Sequence, residues 1–210
     1  MADNGQAMPY FNAAYDTKRR FCSYWHQIDE INRLAPASLL EVGIGNGFVS
    51  GYLRGRGVRV TTADIDPGLK PDHVASVLAL PFPDRSFAAV MCCEVLEHLP
   101  YEHFAQALRE LRRVSQGPVV VSLPDRTRVY QCMFHLPWAG TVRLLMPWFR
   151  IPRKHRPDRI DAHAWEIGVR GYPRGRITAA MREQGLRIIR TYRVFEHPRH
   201  RFFILDGTQG

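Results

Sequence analysis

The chain has 210 residues, 45% of them hydrophobic, and a net charge of +9 from 29 Lys and Arg against 20 Asp and Glu. This is enough apolar material for one substantial core, so a single domain spanning 1–210 is expected. The opening MADNGQAMPY lacks the basic region and apolar core of a secretory signal, so the mature protein is expected to start here. Four cysteines, Cys22, Cys92, Cys93 and Cys132, show no CxxC spacing, which suits a reducing cytoplasm and speaks against a disulfide framework.

Along the chain, residues 11–34 carry Phe21, Trp25, Ile28, Ile31 and Leu34 near one helical face, predicting an N-terminal amphipathic helix within a helical cap over 1–35, stopped by Pro36. A strand at 38–42, a helix at 47–55 and a strand at 58–63 ending in Asp64 follow, the pattern of βαβ units in a parallel sheet. Further strands are expected at 73–77, 87–92 and 118–123. A helix over 102–115 has Phe104, Leu108, Leu111 and Val114 on one face and stops at Gly117-Pro118. Residues 124–160, rich in Pro, Trp, Met and Arg, fit no regular unit and read as part of an inserted substrate lid over 124–172. A helix at 174–184 and strands at 186–195 and 200–206 close the chain, and internal repeats are absent. The apolar run 129–149 is broken by Pro137, Arg143 and Pro147, which makes it a poor transmembrane helix.

The loop after the first strand, LLEVGIGNGFVSGYL, carries Gly43, Gly45 and Gly47 before a helix. Glycines there permit positive φ and close backbone approach to a ligand, but Phe48 stands where a dinucleotide fingerprint needs its third glycine. A tight turn is the plain alternative. The pattern E-x-G-x-G-x-G resembles motif I of the class I S-adenosylmethionine-dependent methyltransferases, with Glu41 two residues before the first glycine. ALPFPDRSFAAVMCCEVLEHLP resembles the D-x-x-x-LPF-x-D-x-SFD-x-V segment and LEH turn of the type 11-like members. Here Ser76 stands where the family usually places an adenine-binding aspartate, and Ala88 replaces the SFD aspartate.

The resemblance implies a Rossmann-like α/β fold, a seven-stranded mostly parallel sheet with its last strand antiparallel, helices on both faces and an insert after strand 5. It implies methyl transfer (EC 2.1.1) with S-adenosylmethionine as cofactor. Glu41, Gly43, Gly45, Gly47, Asp64, Ile65, Ser76, Val77, Leu78, Cys93 and Glu94 would form the cofactor pocket, with Asp64 on the ribose hydroxyls. Tyr10, Tyr15 and Arg20 would close over it, as the first helix often does in this family.

Methyl transfer needs alignment rather than a nucleophilic side chain, and a base only where the acceptor loses a proton. His98, His163 and Glu94 are the catalytic candidates, with His135 in the insert a further one. In CCEVLEHLP, a helix starting at Glu94 would put Glu94, Glu97 and His98 on one face. Two carboxylates and an imidazole suit Mg²⁺, Mn²⁺ or another divalent ion. The E-x-x-E-H segment is similar to the metal-binding segment of small-RNA 2′-O-methyltransferases and ubiquinone-pathway O-methyltransferases, and in the former a downstream histidine completes the site. His163, in DAHAWEIG, would be that ligand. Acidic groups complementing a helix N-terminus are the simpler explanation and are preferred to the metal.

The insert places Phe134, Trp138, Leu144, Leu145, Met146, Trp148 and Phe149 before Arg150, Arg153, Lys154, Arg156 and Arg159. These aromatics are expected to roof the active site, the alternative being contact with an anionic membrane surface, peripheral to its cytoplasmic face. The basic cluster suits an anionic partner or a plain solvated face. A small-molecule, saccharide or lipid-linked acceptor, methylated on oxygen, is favoured. RNA methylation is the runner-up, and a non-catalytic binding protein of the same fold the third reading, supported by Ser76 and Ala88.

Overall fold

The computed structural model describes residue 10 and residues 15–138, 140–147 and 163–208. The basic cluster Arg150–Arg159, with Trp148 and Phe149, lies outside the described residues.

A seven-stranded sheet is formed by β1 (Leu39–Val42), β2 (Val60–Asp64), β3 (His73–Val74), β4 (Ala89–Cys93), β5 (Pro118–Pro124), β8 (Arg187–Arg193) and β9 (His200–Asp206), with β6 (Val129–Leu136) and β7 (Gly140–Pro147) standing apart as a hairpin. Its order is β3-β2-β1-β4-β5-β9-β8, and only β9 runs antiparallel to its neighbours. This is the Rossmann-like architecture that the sequence resemblance implies, and the alternation of strands and helices is that of βαβ units.

Side-chain alternation along the central strands builds two cores. Leu40, Val90, Val119 and Val121 point to the layer holding α3 (Phe104–Val114) and α4 (Arg174–Glu183), where Leu108, Leu111, Ile177 and Met181 meet them. Leu39, Ala89, Met91 and Val120 point the other way, onto α1 (Lys18–Leu34) and α2 (Phe48–Gly55), against Tyr24, Ile31, Val49 and Leu53. Being buried on both faces explains why these strands read as continuous apolar runs. Truncating such a side chain, Leu40 for example, costs about 2–5 kcal/mol.

Three expectations need correction. First, α1 turns Ser23, Tyr24, Gln27, Glu30 and Ile31 inward, while Phe21 and Trp25 are 42% and 58% exposed. Polar partners across the sheet decide this: Glu30 accepts hydrogen bonds from Tyr192 Oη and Arg190, each at 2.6 Å. Second, no helix begins at Glu94. Its φ of +55° is left-handed, a one-turn 3-10 helix occupies Leu96–His98, and α3 starts only at Phe104. Third, the insert is not irregular, because Val129–Leu136 and Gly140–Pro147 pair in register as a β-hairpin. Phe134, Trp138, Leu144 and Met146 on that hairpin are exposed rather than packed over the sheet.

Between β1 and β4 the chain connections leave in opposite directions, to β2 on one side and β5 on the other. In open α/β sheets the crevice beyond the carboxyl ends of such strands is where ligands bind.

Candidate functional site

A cavity of about 860 Å³ lies at that switch point. One wall is built by the loops after β1 and β2. Gly43, Gly45 and Gly47 have φ of +82°, +53° and +71°. At Gly43 the requirement is doubly strict, since a Cβ would meet Val95 Cγ2 at 2.1 Å. Asp64, at the end of β2, receives the Ile44 N–H at 2.9 Å and the Asp66 N–H at 3.0 Å, which locks the glycine loop onto the neighbouring strand end.

Glu41 lines the same wall and is 4% exposed. Its Oε2 is buried without a hydrogen-bond partner among the described residues. Burial raises its pKa to about 8, against smaller opposing effects of Ser50 and Arg54. A buried acceptor facing a cavity is the feature a ligand donor would satisfy.

Ile65, Ser76, Val77 and Cys93 also line the cavity. The Ser76 hydroxyl accepts from Leu78 N–H at 3.2 Å. Leu78 packs against the core instead of lining the cavity, and Gly47 serves as the N-cap of α2. Burial pushes the Cys93 thiol up, so it stays protonated. Tyr10, Tyr15 and Arg20 sit over this wall, with the Arg20 guanidinium 3.7 Å from the Tyr15 ring centroid and donating to Tyr15 Oη at 3.0 Å.

Another wall is assembled from distant segments. Glu94 accepts from Ser122 Oγ at 2.8 Å, and its other oxygen lies 3.3 Å from His200 Nε2. His200 Nδ1 in turn lies 2.9 Å from Ser23 Oγ. A chain Ser23–His200–Glu94–Ser122 thus links α1, β9, the β4 end and β5. Burial raises the Glu94 pKa to about 7 and holds His200 well below the ordinary imidazole value. The left-handed backbone at Glu94 is uncommon for a residue with a Cβ and aims this carboxylate at β9. Sequence reasoning missed His200 and Ser23, whose pairing spans 177 positions.

Glu94 is therefore separated from Glu97 and His98. The group whose ligand atoms fall within 4.8 Å of one another is Glu97, His98 and His163. Backbone and side-chain bonds dock the DAHAWEIG segment onto LEHLP: Ala164 N–H donates to Glu97 O at 2.8 Å and the Trp165 indole to Leu99 O at 3.1 Å. This brings His163 Nε2 to 4.0 Å from Glu97 and its ring to 4.8 Å from His98. His163 Nδ1 donates to Glu166 at 2.7 Å, and Arg126 pairs with the same carboxylate. Burial alone would raise the Glu166 pKa, but the bonds from His163 and Arg126 outweigh it and hold it low. The bond to Glu166 orients the His163 ring and leaves its Nε2 facing Glu97. Glu97 is fully buried, whereas His98 and His163 line the cavity. His135 stands on the exposed hairpin, bonded to Thr141, away from the cavity.

Residues 40–119 match the family described as Methyltransferase domain. No curated protein sequence matches the chain. Among solved structures, a magnesium protoporphyrin IX methyltransferase from Synechocystis PCC 6803 with S-adenosylhomocysteine bound is similar at a TM-score of 0.60 and 14% identity, covering 90% of this chain and 83% of that one. A 1,6-didemethyltoxoflavin-N1-methyltransferase from Burkholderia thailandensis, solved with bound 1,6-didemethyltoxoflavin and S-adenosylhomocysteine, gives 0.55 and 14%, covering 99% and 94%. An S-adenosylmethionine-dependent methyltransferase from Mesorhizobium loti gives 0.57 and 13%, covering 88% and 97%. At these identities the likeness concerns the fold. Residues 40–119 thus match a methyltransferase family model, and the architecture is similar to that of S-adenosylmethionine-dependent methyltransferases.

Proposed function

We propose that this protein transfers a methyl group from S-adenosylmethionine to an oxygen of a small-molecule, saccharide or lipid-linked acceptor. The observation that carries the reading is one cavity with two unlike walls. One offers a glycine cradle, the Asp64 carboxylate and the unsatisfied Glu41 oxygen; the other offers proton-accepting groups. The first fits the cofactor: a Cβ at Gly43 would fill the cradle, and Glu41 Oε2 has room for an N–H or O–H donor.

Bound there, the cofactor supplies a methyl carbon already activated by its sulfonium. The chain's residues then orient and exclude water. Tyr15 and Arg20 cover the cofactor side, and Asp64 has lone pairs left for hydroxyl donors. An acceptor hydroxyl placed between the walls gives up its proton to the His98–His163 pair or to Glu94, whose pKa near 7 is matched to neutral pH. Calorimetric titration with S-adenosylhomocysteine, followed by radiolabelled methyl transfer to hydroxyl acceptors, tests this. Binding without transfer to any hydroxyl, together with transfer to an amine, would move the reaction to nitrogen.

A divalent ion held by Glu97, His98 and His163 is a second reading, favoured by the convergence of their ligand atoms and by the Glu166 bond that orients His163. Glu94 faces His200 and stands outside that set. The ion would polarise the acceptor oxygen. Titration of the chelated protein with Mg²⁺ or Mn²⁺ reads binding directly; no heat and no change in transfer after chelation would remove the ion.

A further inference from the structure

We infer that the β6–β7 hairpin is a wedge that docks the protein on an anionic membrane surface. The register decides its chemistry. Residues directly opposite one another share a face of the ribbon, so Tyr130 with Met146, Cys132 with Leu144 and Phe134 with Val142 form one wholly apolar face. The other face carries Gln131, His135, Thr141 and Arg143 beside Met133 and Leu145.

The mixed face is the one tied to the body. Gln131 donates to the Phe195 carbonyl at 2.7 Å, and Arg143 lies 3.9 Å from Glu196 and over the Phe195 ring. On the apolar face Phe134 is 54%, Leu144 43% and Met146 45% exposed; Met133 on the mixed face is 63% and Trp138 at the tip 91% exposed. A two-stranded ribbon exposing apolar side chains is marginally stable by itself in water, which favours a partner for this face.

Charge selects the occupant. Between Asp125 and Asp158 the sequence holds no acidic residue and seven basic ones, among them Arg128 and Arg143 on and beside the hairpin. An apolar ribbon tipped by tryptophan, in a stretch of sequence without acidic residues, matches the layering of an anionic bilayer interface, where indole sits at headgroup level and arginine meets phosphate. The hairpin also leaves the sheet at the end of β5, where Pro124, Asp125 and Arg126 line the cavity, so docking would hold the cavity near the headgroups. The inference does not depend on the transfer chemistry.

The test is flotation of the full-length protein with vesicles of equal phosphatidylglycerol and phosphatidylcholine, and with pure phosphatidylcholine, at about 0.1 M salt. Binding to the anionic vesicles is expected to exceed that to the neutral ones at least about ten-fold. Trp138→Ser combined with Phe134→Ser is expected to weaken it by a similar factor while the far-UV spectrum and melting temperature stay unchanged. Should the double variant misfold, Trp138→Ser alone at the exposed tip reads the same contact through loss of the blue shift in fluorescence. No binding to anionic vesicles would overturn the inference. So would binding undiminished in the folded variants, or a dimer abolished by the same substitutions, which would make a second copy the occupant.

Discussion

The wall of the cavity holding Glu41, Gly43, Asp64 and Ser76 comes from one stretch, residues 41–76, whereas another wall gathers Ser23 from α1, Glu94 and His98 from beyond β4, His163 from the segment before α4 and His200 from β9. The first is held by backbone: positive φ at three glycines and N–H groups bonded to a strand-end carboxylate. The second is held by side chains meeting across the fold. A backbone-built wall constrains its ligand closely, while a side-chain wall can be respecified without disturbing the sheet. This division suits a fixed cofactor and a variable acceptor.

The contrast can be broken most severely at Gly43. Gly43→Ala adds a Cβ in a left-handed conformation against Val95, and is expected to cost roughly 2–5 kcal/mol in urea unfolding and to weaken S-adenosylhomocysteine binding at least about 100-fold. Adding Val95→Ala relieves the contact but not the backbone, so only part of the loss should return.

On the other wall, His163→Ala is expected to lower the turnover number by roughly 10²-fold or more while S-adenosylhomocysteine affinity stays within about two-fold. Parallel loss of cofactor affinity would erase the distinction between the walls.

Glu41→Gln sharpens the comparison through pH. The folded-state pKa of Glu41 is raised from 4.5 to about 8, so the stability it contributes is full below about 4.5 and lost as pH rises through 8. Glutamine cannot ionise. Cofactor-free variant and wild type should therefore unfold alike at pH 4.5 or below, and the variant should be more stable at pH 9, by roughly 2–4 kcal/mol. In the same variant S-adenosylhomocysteine affinity should fall about ten-fold.

The smallest effect is expected at Ser23→Ala, about 1 kcal/mol in urea unfolding, because only the bond to His200 Nδ1 is removed.

The same division governs what the sequence reveals. The succession of strands and helices, the glycine loop and Asp64 are legible because short-range backbone chemistry produces them. His200 is not, since a histidine opening the apolar run HRFFIL carries no local sign of a serine 177 positions away. The face of α1 is misread because apolar count points to Phe21 and Trp25, while Glu30 and Ser23 are drawn inward by Tyr192, Arg190 and His200. E-x-x-E-H reads as a helix start, yet the left-handed Glu94 sends its carboxylate to His200 and leaves Glu97 and His98 to meet His163. In the insert, Pro137 and Gly140 were turn signals between two alternating runs, hidden by the Pro and Arg content on either side.

Calorimetry of the full-length protein with S-adenosylhomocysteine tests the central claim most directly. One binding site with a Kd between about 1 µM and 1 mM, weakened by Asp64→Ala and by Glu41→Gln but not by Phe134→Ser on the hairpin, is the predicted result. No binding heat at millimolar ligand, or binding indifferent to Asp64 and Glu41, would contradict the account.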